Sequence, residues 1–443
     1  ESMEILISLL VVVVLMVIAA SKYKFHPFLS LLIAAIIMGF IGGLNENEIT
    51  TVLTNGFGKT LGSIGIIIAF GTIIGAYLEK SGGANTMANW AINTIGKNRS
   101  VLAMNLTGFI VSIPVYCDSG FIILSSLNKA ISKRTKIPLP VLAVSLAAGL
   151  YTTHVFVPPT PGPLAATAAL NADLGLVIFL GLIIAIPVSL TGFLWAKFIE
   201  RNYKFISNDS ILIPDSTKES LPKTRLAFLP ILIPIILIAL KSISNYPTHP
   251  FGEDILFDIT NFIGNPVIAL FIGVFLAFKL KNNDTEATHF NWVTSGLKEA
   301  GIIILITGAG GAFGSILQAT GIGEIIGNRF SDLEIGLLLP FLIAAILKTA
   351  QGSSTVSIIT TAAIMAPILE SFGLESSMGR ALTVLSIGAG AMTVSHLNDS
   401  YFWVVAQFSG MDTTTALKTQ SVSTLLQGLV GVILTMILGW IFI

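Results

Sequence analysis

Two aspartates stand within long apolar stretches of this 443-residue chain, each inside a short polar segment. Asp118 lies in Pro114-Val-Tyr-Cys-Asp-Ser-Gly120, and Asp399 lies in Ser395-His-Leu-Asn-Asp-Ser400. An ionised carboxylate inside a lipid bilayer is energetically costly and usually has a partner or a function. Each aspartate could therefore pair with a cation such as Lys348, cap the end of a helix, or bind and release a proton.

Two further polar segments interrupt apolar stretches. They read Thr152-Thr-His-Val-Phe-Val-Pro-Pro-Thr-Pro-Gly-Pro163 and Lys348-Thr-Ala-Gln-Gly-Ser-Ser-Thr355. The four prolines between 158 and 163 cannot continue a helix, because proline lacks the backbone N–H and its ring clashes with the preceding turn. A broken helix exposes free N–H groups at one new end, and such ends attract anions. The pattern predicts a binding site for a small hydroxylated anion where the four segments converge.

The candidate substrate-binding residues lie in these four segments. They are Tyr116, Asp118, Ser119, Thr152, Thr153, His154, Thr160, Gly162, Gln351, Ser353, Ser354, Thr355, His396, Asn398, Asp399 and Ser400. The two histidines could be substrate contacts or proton relays, or structural residues with satisfied hydrogen bonds. The hydroxyls could bind substrate or satisfy helix backbones. Asn398 is a stronger ligand candidate, because a buried amide needs several partners.

Asp118 and Asp399 are also the candidates for coupling transport to protons. An ionised aspartate repels a bound anion, and protonation removes that repulsion, so proton and anion would be taken up together. Asp118 is the first candidate, because it lies at a predicted turn beside Tyr116 and Ser119. Asp399 is the second.

The composition places these segments in a membrane protein. Hydrophobic residues make up 53% of the chain and charged residues only 11%, against about 25% charged residues in soluble domains. About 20 consecutive apolar residues cross a bilayer as a helix. The formal net charge is zero, so the chain has no excess of basic residues that would indicate nucleic-acid binding. The single cysteine excludes a disulfide framework and a thiolate metal cluster. We expect no metal site and no cofactor.

The predicted fold class is an all-α polytopic membrane protein with about ten transmembrane helices and two re-entrant hairpins. The predicted spans are 4–20, 27–44, 61–79, 139–170, 176–199, 226–243, 264–280, 301–318, 381–409 and 421–443. The shorter apolar pairs 101–127 and 337–373 are the predicted hairpins, each turning at a polar tip. Irregular backbone at that depth must lie in protein or line a wet cavity.

The distribution of basic residues supports these hairpins. With Lys22 and Lys24 placed in the cytoplasm, most Lys and Arg residues fall on the cytoplasmic side only if both hairpins turn back. This layout predicts an inner-membrane protein with both termini on the extracytoplasmic side.

An internal repeat relates the two halves of the chain. A shift of 239 residues sets Gly71 on Gly310 and Gly75 on Gly314, and the order of spans repeats with opposite orientation. The glycines at 62, 82, 149 and 192 also meet glycines, at 301, 321, 388 and 431. Inverted repeats of this kind mark many secondary transporters. We predict a first repeat over 1–205, a cytoplasmic linker over 206–225 and a second repeat over 226–443.

Over essentially its whole length the chain resembles the gluconate permease family, within a superfamily of elevator carriers. The most specific motifs are Pro114–Phe121, Thr152–His154 with Pro158–Pro163, and Ser395–Ser400. The resemblance implies proton-coupled uptake of D-gluconate or a close sugar acid by a homodimer whose transport domain slides across the membrane. Related members carry D-serine or other small hydroxy acids.

Three other interpretations stay open from the residues. The first is a carrier of the same build that uses sodium. The sodium-coupled dicarboxylate branch of the superfamily has Ser-Asn-Thr at its hairpin tips. Here the tips read Cys117-Asp118-Ser119 and Ser353-Ser354-Thr355, and this difference weakens the sodium interpretation. The second is an intramembrane enzyme using Asp118, His154 and Ser353, which a pair of inverted halves disfavours. The third is a channel, which would need a continuous polar lining.

Overall fold

The computed structural model describes residues 2–21, 23, 25–95, 99–113, 115–203, 221–245, 254–280, 286–321, 336–397 and 399–443. Every regular element in these ranges is helical. The helices are α1 Ser2–Ser21, α2 Pro27–Ile41, α3 Glu46–Lys80, α4 Gly83–Ile95, α5 Ser100–Val111, α6 Cys117–Thr135, α7 Leu139–Phe156, α8 Pro161–Ala169, α9 Leu174–Asn202, α10 Thr224–Ser244, α11 Ile255–Ile263, α12 Pro266–Phe278, α13 Glu286–Ala319, α14 Leu338–Gln351, α15 Ser354–Met365, α16 Ser377–Met392, α17 Ser400–Phe408, α18 Thr413–Ala416 and α19 Val422–Phe442. The all-α class is confirmed.

Several of these helices can cross a membrane. Among the described residues, five helices are long and apolar enough to span a bilayer, or up to seven when each bent pair counts as one span. Large apolar side chains such as Phe179, Leu194 and Trp440 point outward, with 61%, 63% and 89% of their surface exposed. Lipid is the solvent that such faces require. The total of about ten spans stays a prediction.

Two predicted spans are longer than the sequence pattern indicated. The prediction 61–79 is the C-terminal part of α3, which begins at Glu46, and the prediction 301–318 is the C-terminal part of α13, which begins at Glu286. A capping box explains the start of α3: the Asn45 side chain accepts from the Glu48 N–H, and the Glu48 carboxylate accepts from the Asn45 N–H. Polar helical turns therefore precede each apolar segment.

The bounds of the helices repeat in the 239-residue register. Helix α8 and helix α17 are each nine residues long, and their first residues, Pro161 and Ser400, are in that register. Helices α3 and α13, α5 and α14, and α7 and α16 also begin within two residues of equivalent positions. The division into two inverted repeats stays a prediction, with which these shared helix bounds agree. The predicted linker falls mostly on residues 206–220, which lie outside the described part, and α10 already begins at Thr224.

Both predicted broken spans are interrupted. The first consists of α7 and α8, which are separated by residues 157–160, and Pro161 begins α8 because its ring presets the helical φ angle. The second consists of α16 and α17, separated by residues 393–399, although that segment holds no proline. There Val394 adopts a φ of 55°, in a left-handed region that β-branched residues rarely occupy. A backbone conformation therefore breaks the second span where proline breaks the first.

Two helix–turn–helix units occupy the predicted hairpins. Helix α5 turns into α6, which continues to Thr135 rather than ending at the predicted limit of 127. Helix α14 turns into α15 through Gly352 and Ser353. Gly352 has a φ of 84°, the left-handed conformation that commonly ends a helix, and the Ser353 hydroxyl caps α15 by accepting from the Val356 N–H. We refer to these units as the first and second hairpins.

Glycines hold α13 close to its neighbours. A Cβ added to Gly311 would lie 1.9 Å from the Thr60 Oγ1 of α3, and one added to Gly310 would lie 2.7 Å from the Ile359 Cγ2 of the second hairpin. Small residues permit such close approach of helices in membranes. Gly310 and Gly314 of α13 therefore face the second hairpin.

Candidate functional site

A cavity of about 240 Å³ lies where both hairpins and both broken spans meet. Seven of the predicted site residues line it: Tyr116, Asp118, His154, Ser353, Ser354, Thr355 and Asp399. The remaining lining residues are Cys117, Tyr151, Ile302, Ile303, Ile306, Val356, Ile359 and Tyr401. The convergence of four distant polar segments is thus present in the fold, and α13 supplies an apolar wall.

Two helices begin at the cavity. Helix α6 starts at Cys117 and helix α15 starts at Ser354, and both residues line the cavity. The first N–H groups of a helix have no partner within it, and the helix dipole adds partial positive charge at that end. The site therefore offers an anion two helix N-termini together with the hydroxyls of Ser354 and Thr355.

Two residues of the first half that line this cavity, His154 and Tyr116, each have a buried polar atom without a partner among the described residues. The Nδ1 of His154 and the hydroxyl of Tyr116 are buried and have no hydrogen-bond partner within the described ranges. The two ring centroids lie 5.8 Å apart. Leaving a buried polar group unsatisfied costs about 1–3 kcal/mol. A ligand that hydrogen-bonds to both atoms would recover that cost.

Asp118 lies in the first turn of α6, at the edge of the same cavity. Its Oδ1 is 4.0 Å from the Sγ of Cys117, which is a free, buried cysteine. A carboxylate in the first helical turn is favoured by the helix dipole. Asp118 is therefore placed where its charge state would act directly on a bound anion.

Asp399 has both of the structural roles that the sequence left open for a buried aspartate: it pairs with a cation and it caps a helix. Its Oδ2 lies 2.6 Å from the Nζ of Lys348, and its Oδ1 accepts from the Tyr401 N–H at 3.0 Å, capping α17. The Ser395 hydroxyl also donates to Oδ2. The side chains of Lys348 and Asp399 are 1% and 5% exposed. Asp399 is thus both ion-paired and a helix cap.

Five predicted site residues lie outside the cavity lining and have other contacts. The hydroxyls of Thr152, Thr153 and Thr160 donate to backbone carbonyls within their own segments. This is the second of the two roles that the sequence left open for hydroxyls, which was to satisfy the helix backbone. Gly162 lies against the second hairpin, where an added Cβ would be 2.9 Å from the Ile358 Cδ1. The Nε2 of His396 lies 3.0 Å from the carbonyl oxygen of Thr349. These five residues shape the segments around the cavity.

Four predicted residues cannot be placed relative to the cavity. Asn398 lies outside the described residues, and the side chains of Ser119, Gln351 and Ser400 are also outside the described part.

Two tyrosines of the site were missed in the sequence. The Tyr151 hydroxyl donates to the Ala391 carbonyl at 3.3 Å, and the Tyr401 hydroxyl donates to the Ala147 carbonyl at 3.0 Å. Their ring centroids are 5.0 Å apart. These reciprocal bonds fasten the two broken spans to each other. The sequence could have indicated both tyrosines as site residues, because Tyr151 directly precedes one polar segment and Tyr401 directly follows another.

Comparison with known proteins identifies the family of this chain. Residues 3–441 match the family model described as GntP family permease. A gluconate permease of Pseudomonas aeruginosa is 32% identical over 98% of this chain and 97% of its own length. The D-serine transporter DsdX of Escherichia coli K12 is also 32% identical, over 98% of each chain.

A solved structure shows the same fold at low sequence identity. The structure of MtrF from Neisseria gonorrhoeae, described as one of a class of antimetabolite efflux pumps, has a TM-score of 0.69 and 14% identity. The match covers 95% of this chain and 96% of MtrF. Since the family match covers nearly the whole chain and the relatives are permeases, this chain is a multi-pass membrane transporter, not an enzyme, and belongs to the GntP permease family.

Proposed function

We propose that this transporter carries D-gluconate, or a closely related small hydroxy acid, into the cell together with protons. The observation that carries the proposal is the cavity at which Asp118, His154 and two helix N-termini meet. An anion entering there would receive N–H groups and hydroxyls from the hairpins and could become the partner of the buried His154 and Tyr116 atoms, which have none among the described residues.

Asp118 is the proposed proton carrier. Asp399 already has a buried cation beside it and caps a helix, so its charge is balanced in the absence of substrate. Asp118 lies at the cavity edge, where an ionised carboxylate would repel the substrate carboxylate. Protonating Asp118 removes that repulsion, which makes simultaneous uptake of proton and anion favourable. His154, which lines the cavity and has a buried Nδ1 without a partner among the described residues, is the proposed proton relay.

The remaining parts of the proposal concern assembly and motion. We propose a homodimer in the inner membrane, with both termini extracytoplasmic, in which the hairpins and broken spans move as a transport domain against α3 and α13. The glycines through which α13 approaches the second hairpin support this separation into a fixed and a moving part, because glycines have no side chains that would interlock with the hairpin.

Uptake into proteoliposomes tests the coupling. With a pH gradient, inside alkaline, wild-type protein should accumulate labelled gluconate, whereas Asp118→Asn should lose accumulation and keep exchange of internal for external substrate. Asp173→Asn is the matched control, because Asp173 is an exposed helix cap outside the cavity. Accumulation by Asp118→Asn would assign the proton to another group. Uptake that requires sodium and ignores the pH gradient would overturn proton coupling.

D-serine is the second candidate substrate, because the D-serine transporter and the gluconate permease are equally similar to this chain. Both compounds carry a carboxylate and a hydroxyl. A thermal-shift screen with sugar acids, D-serine and dicarboxylates separates them, since ligands stabilise the folded state by mass action. The compound that gives the largest shift at equal concentration should also be the best competitor of uptake.

A further inference from the structure

The ammonium of Lys348 has the kinds of neighbours that proteins use to bind a free cation. Its Nζ lies 2.5 Å from the carbonyl oxygen of Gly352 and 2.6 Å from the Oδ2 of Asp399. The centroid of the Tyr151 ring is 5.8 Å away, within the range of a cation–π contact. An ammonium has three donors. A carbonyl, a carboxylate and an aromatic face therefore surround one buried positive charge.

This site joins the tip of the second hairpin to the second break. Lys348 lies in the last turn of α14, where the helix dipole favours a cation, and Gly352 ends that helix. Asp399 belongs to the break before α17 and is held there by Ser395 and the Tyr401 N–H. Asp399 thus has contacts of its own besides Lys348, and the Gly352 carbonyl belongs to the turn that ends α14.

We infer that these oxygens form a binding site for a small monovalent cation, which the side chain of Lys348 permanently fills. A site with one carboxylate and a neutral carbonyl balances one positive charge, so it suits a primary ammonium or an alkali ion rather than a divalent ion. In the wild-type protein the tethered ammonium supplies this charge, and no dissolved cation is needed at the second hairpin.

The first half has no equivalent of this site. The positions that correspond to Lys348, Gly352 and Asp399 are Phe109, Ile113 and Thr160, which carry no charge. The tethered cation is therefore a property of the second half alone, and the inference does not depend on which anion the transporter carries.

Removing the side chain tests the inference. Lys348→Ala leaves the Asp399 carboxylate and the Gly352 carbonyl facing an open space, which methylammonium or sodium can enter. We expect either cation to raise the thermal unfolding midpoint of purified Lys348→Ala by at least about 3 °C in a saturable way. Uptake by Lys348→Ala should rise along the same saturation curve. The wild-type midpoint should not shift.

Two controls make the result specific. The double variant Lys348→Ala with Asp399→Asn lacks the carboxylate and should not respond to either cation, and tetramethylammonium, which has no N–H donor, should not stabilise the single variant. A midpoint of Lys348→Ala that ignores methylammonium and sodium would overturn the inference, as would an equal response in the double variant. If Lys348→Ala yields too little folded protein, Lys348→Ser is measured in the same way, since its hydroxyl can bond to the α14 backbone.

Discussion

The two halves of the molecule share a helical frame and differ in the chemistry they place at its centre. In the first half, His154 and Tyr116 line the cavity, and each has a buried polar atom with no hydrogen-bond partner among the described residues. The second-half position equivalent to His154 is Thr393, whose hydroxyl donates to the Ala389 carbonyl at 2.8 Å. The position equivalent to Asp118 is Ser357, whose hydroxyl donates to the Ala344 carbonyl at 2.6 Å.

This difference in hydrogen bonding indicates that the two halves have different roles at the cavity. At the positions equivalent to His154 and Asp118, the second half has hydroxyls that bond to backbone carbonyls, and it pairs its buried carboxylate with Lys348. In the first half, the unpartnered atoms of His154 and Tyr116 are the proposed ligand contacts. Two halves with one frame can therefore specialise, because the backbone arrangement depends on glycines and helix breaks, whereas the chemistry depends on a few side chains. The predictions below test this contrast.

Breaking the ion pair of the second half should have the largest effect on stability. Lys348→Met removes the cation and leaves Asp399 as a buried, unpaired carboxylate, which costs about 3–5 kcal/mol. Thermal or denaturant unfolding of the purified protein measures the loss. The double variant Lys348→Met with Asp399→Asn should recover much of the stability, because it leaves no unpaired charge. A single variant as stable as wild type would contradict the pair.

Filling a shared glycine should damage both halves alike. An added Cβ would lie 2.0 Å from the Asn105 carbonyl oxygen at Gly149 and 2.5 Å from the Val155 carbonyl oxygen at its equivalent, Gly388. Backbone must move in either case, so Gly149→Ala and Gly388→Ala should each lose about 1–3 kcal/mol of stability. Unfolding measurements on both variants check this. Tolerance at one position only would show that the shared frame differs between halves.

Removing an open polar atom of the first half should affect binding more than stability. His154 lines the cavity, and His154→Phe keeps a ring but loses the buried Nδ1 that has no partner among the described residues. We expect KM for uptake to rise about tenfold, the value of one hydrogen bond to a charged ligand, with little change in the unfolding midpoint. His396→Phe is the matched control, because His396 contacts the Thr349 carbonyl outside the cavity lining. An equal rise in KM in both variants would argue against a substrate contact.

The smallest effect should come from glycines that have open space around them. Gly62 and Gly301 are equivalent positions within α3 and α13, and nothing lies within 4 Å of an added Cβ at either one. Gly62→Ala and Gly301→Ala should each stabilise their helices by up to about 1 kcal/mol. A loss of stability at both positions would show that the space is needed in another conformation.

The sequence predicted some features of the candidate site and missed others. Asp118, His154 and Ser354 were expected at a common site from their polar segments, and all three line the cavity. Thr152 and Thr160 were expected there for the same reason, yet their hydroxyls bond to the backbone. Residue type and depth in an apolar segment do not tell which way a helical side chain points.

The sequence by itself determined the helical class, the membrane environment, the family and the first helix break. These features depend on local composition and on proline, whose missing N–H acts wherever it occurs. The tertiary structure decided which polar groups are satisfied and which stay open. Lys348 and Asp399 are 51 residues apart in the chain, and only the packing of the second hairpin against the second break joins them. That the buried Nδ1 of His154 has no partner among the described residues likewise depends on which neighbours surround its helix, which no local pattern specifies.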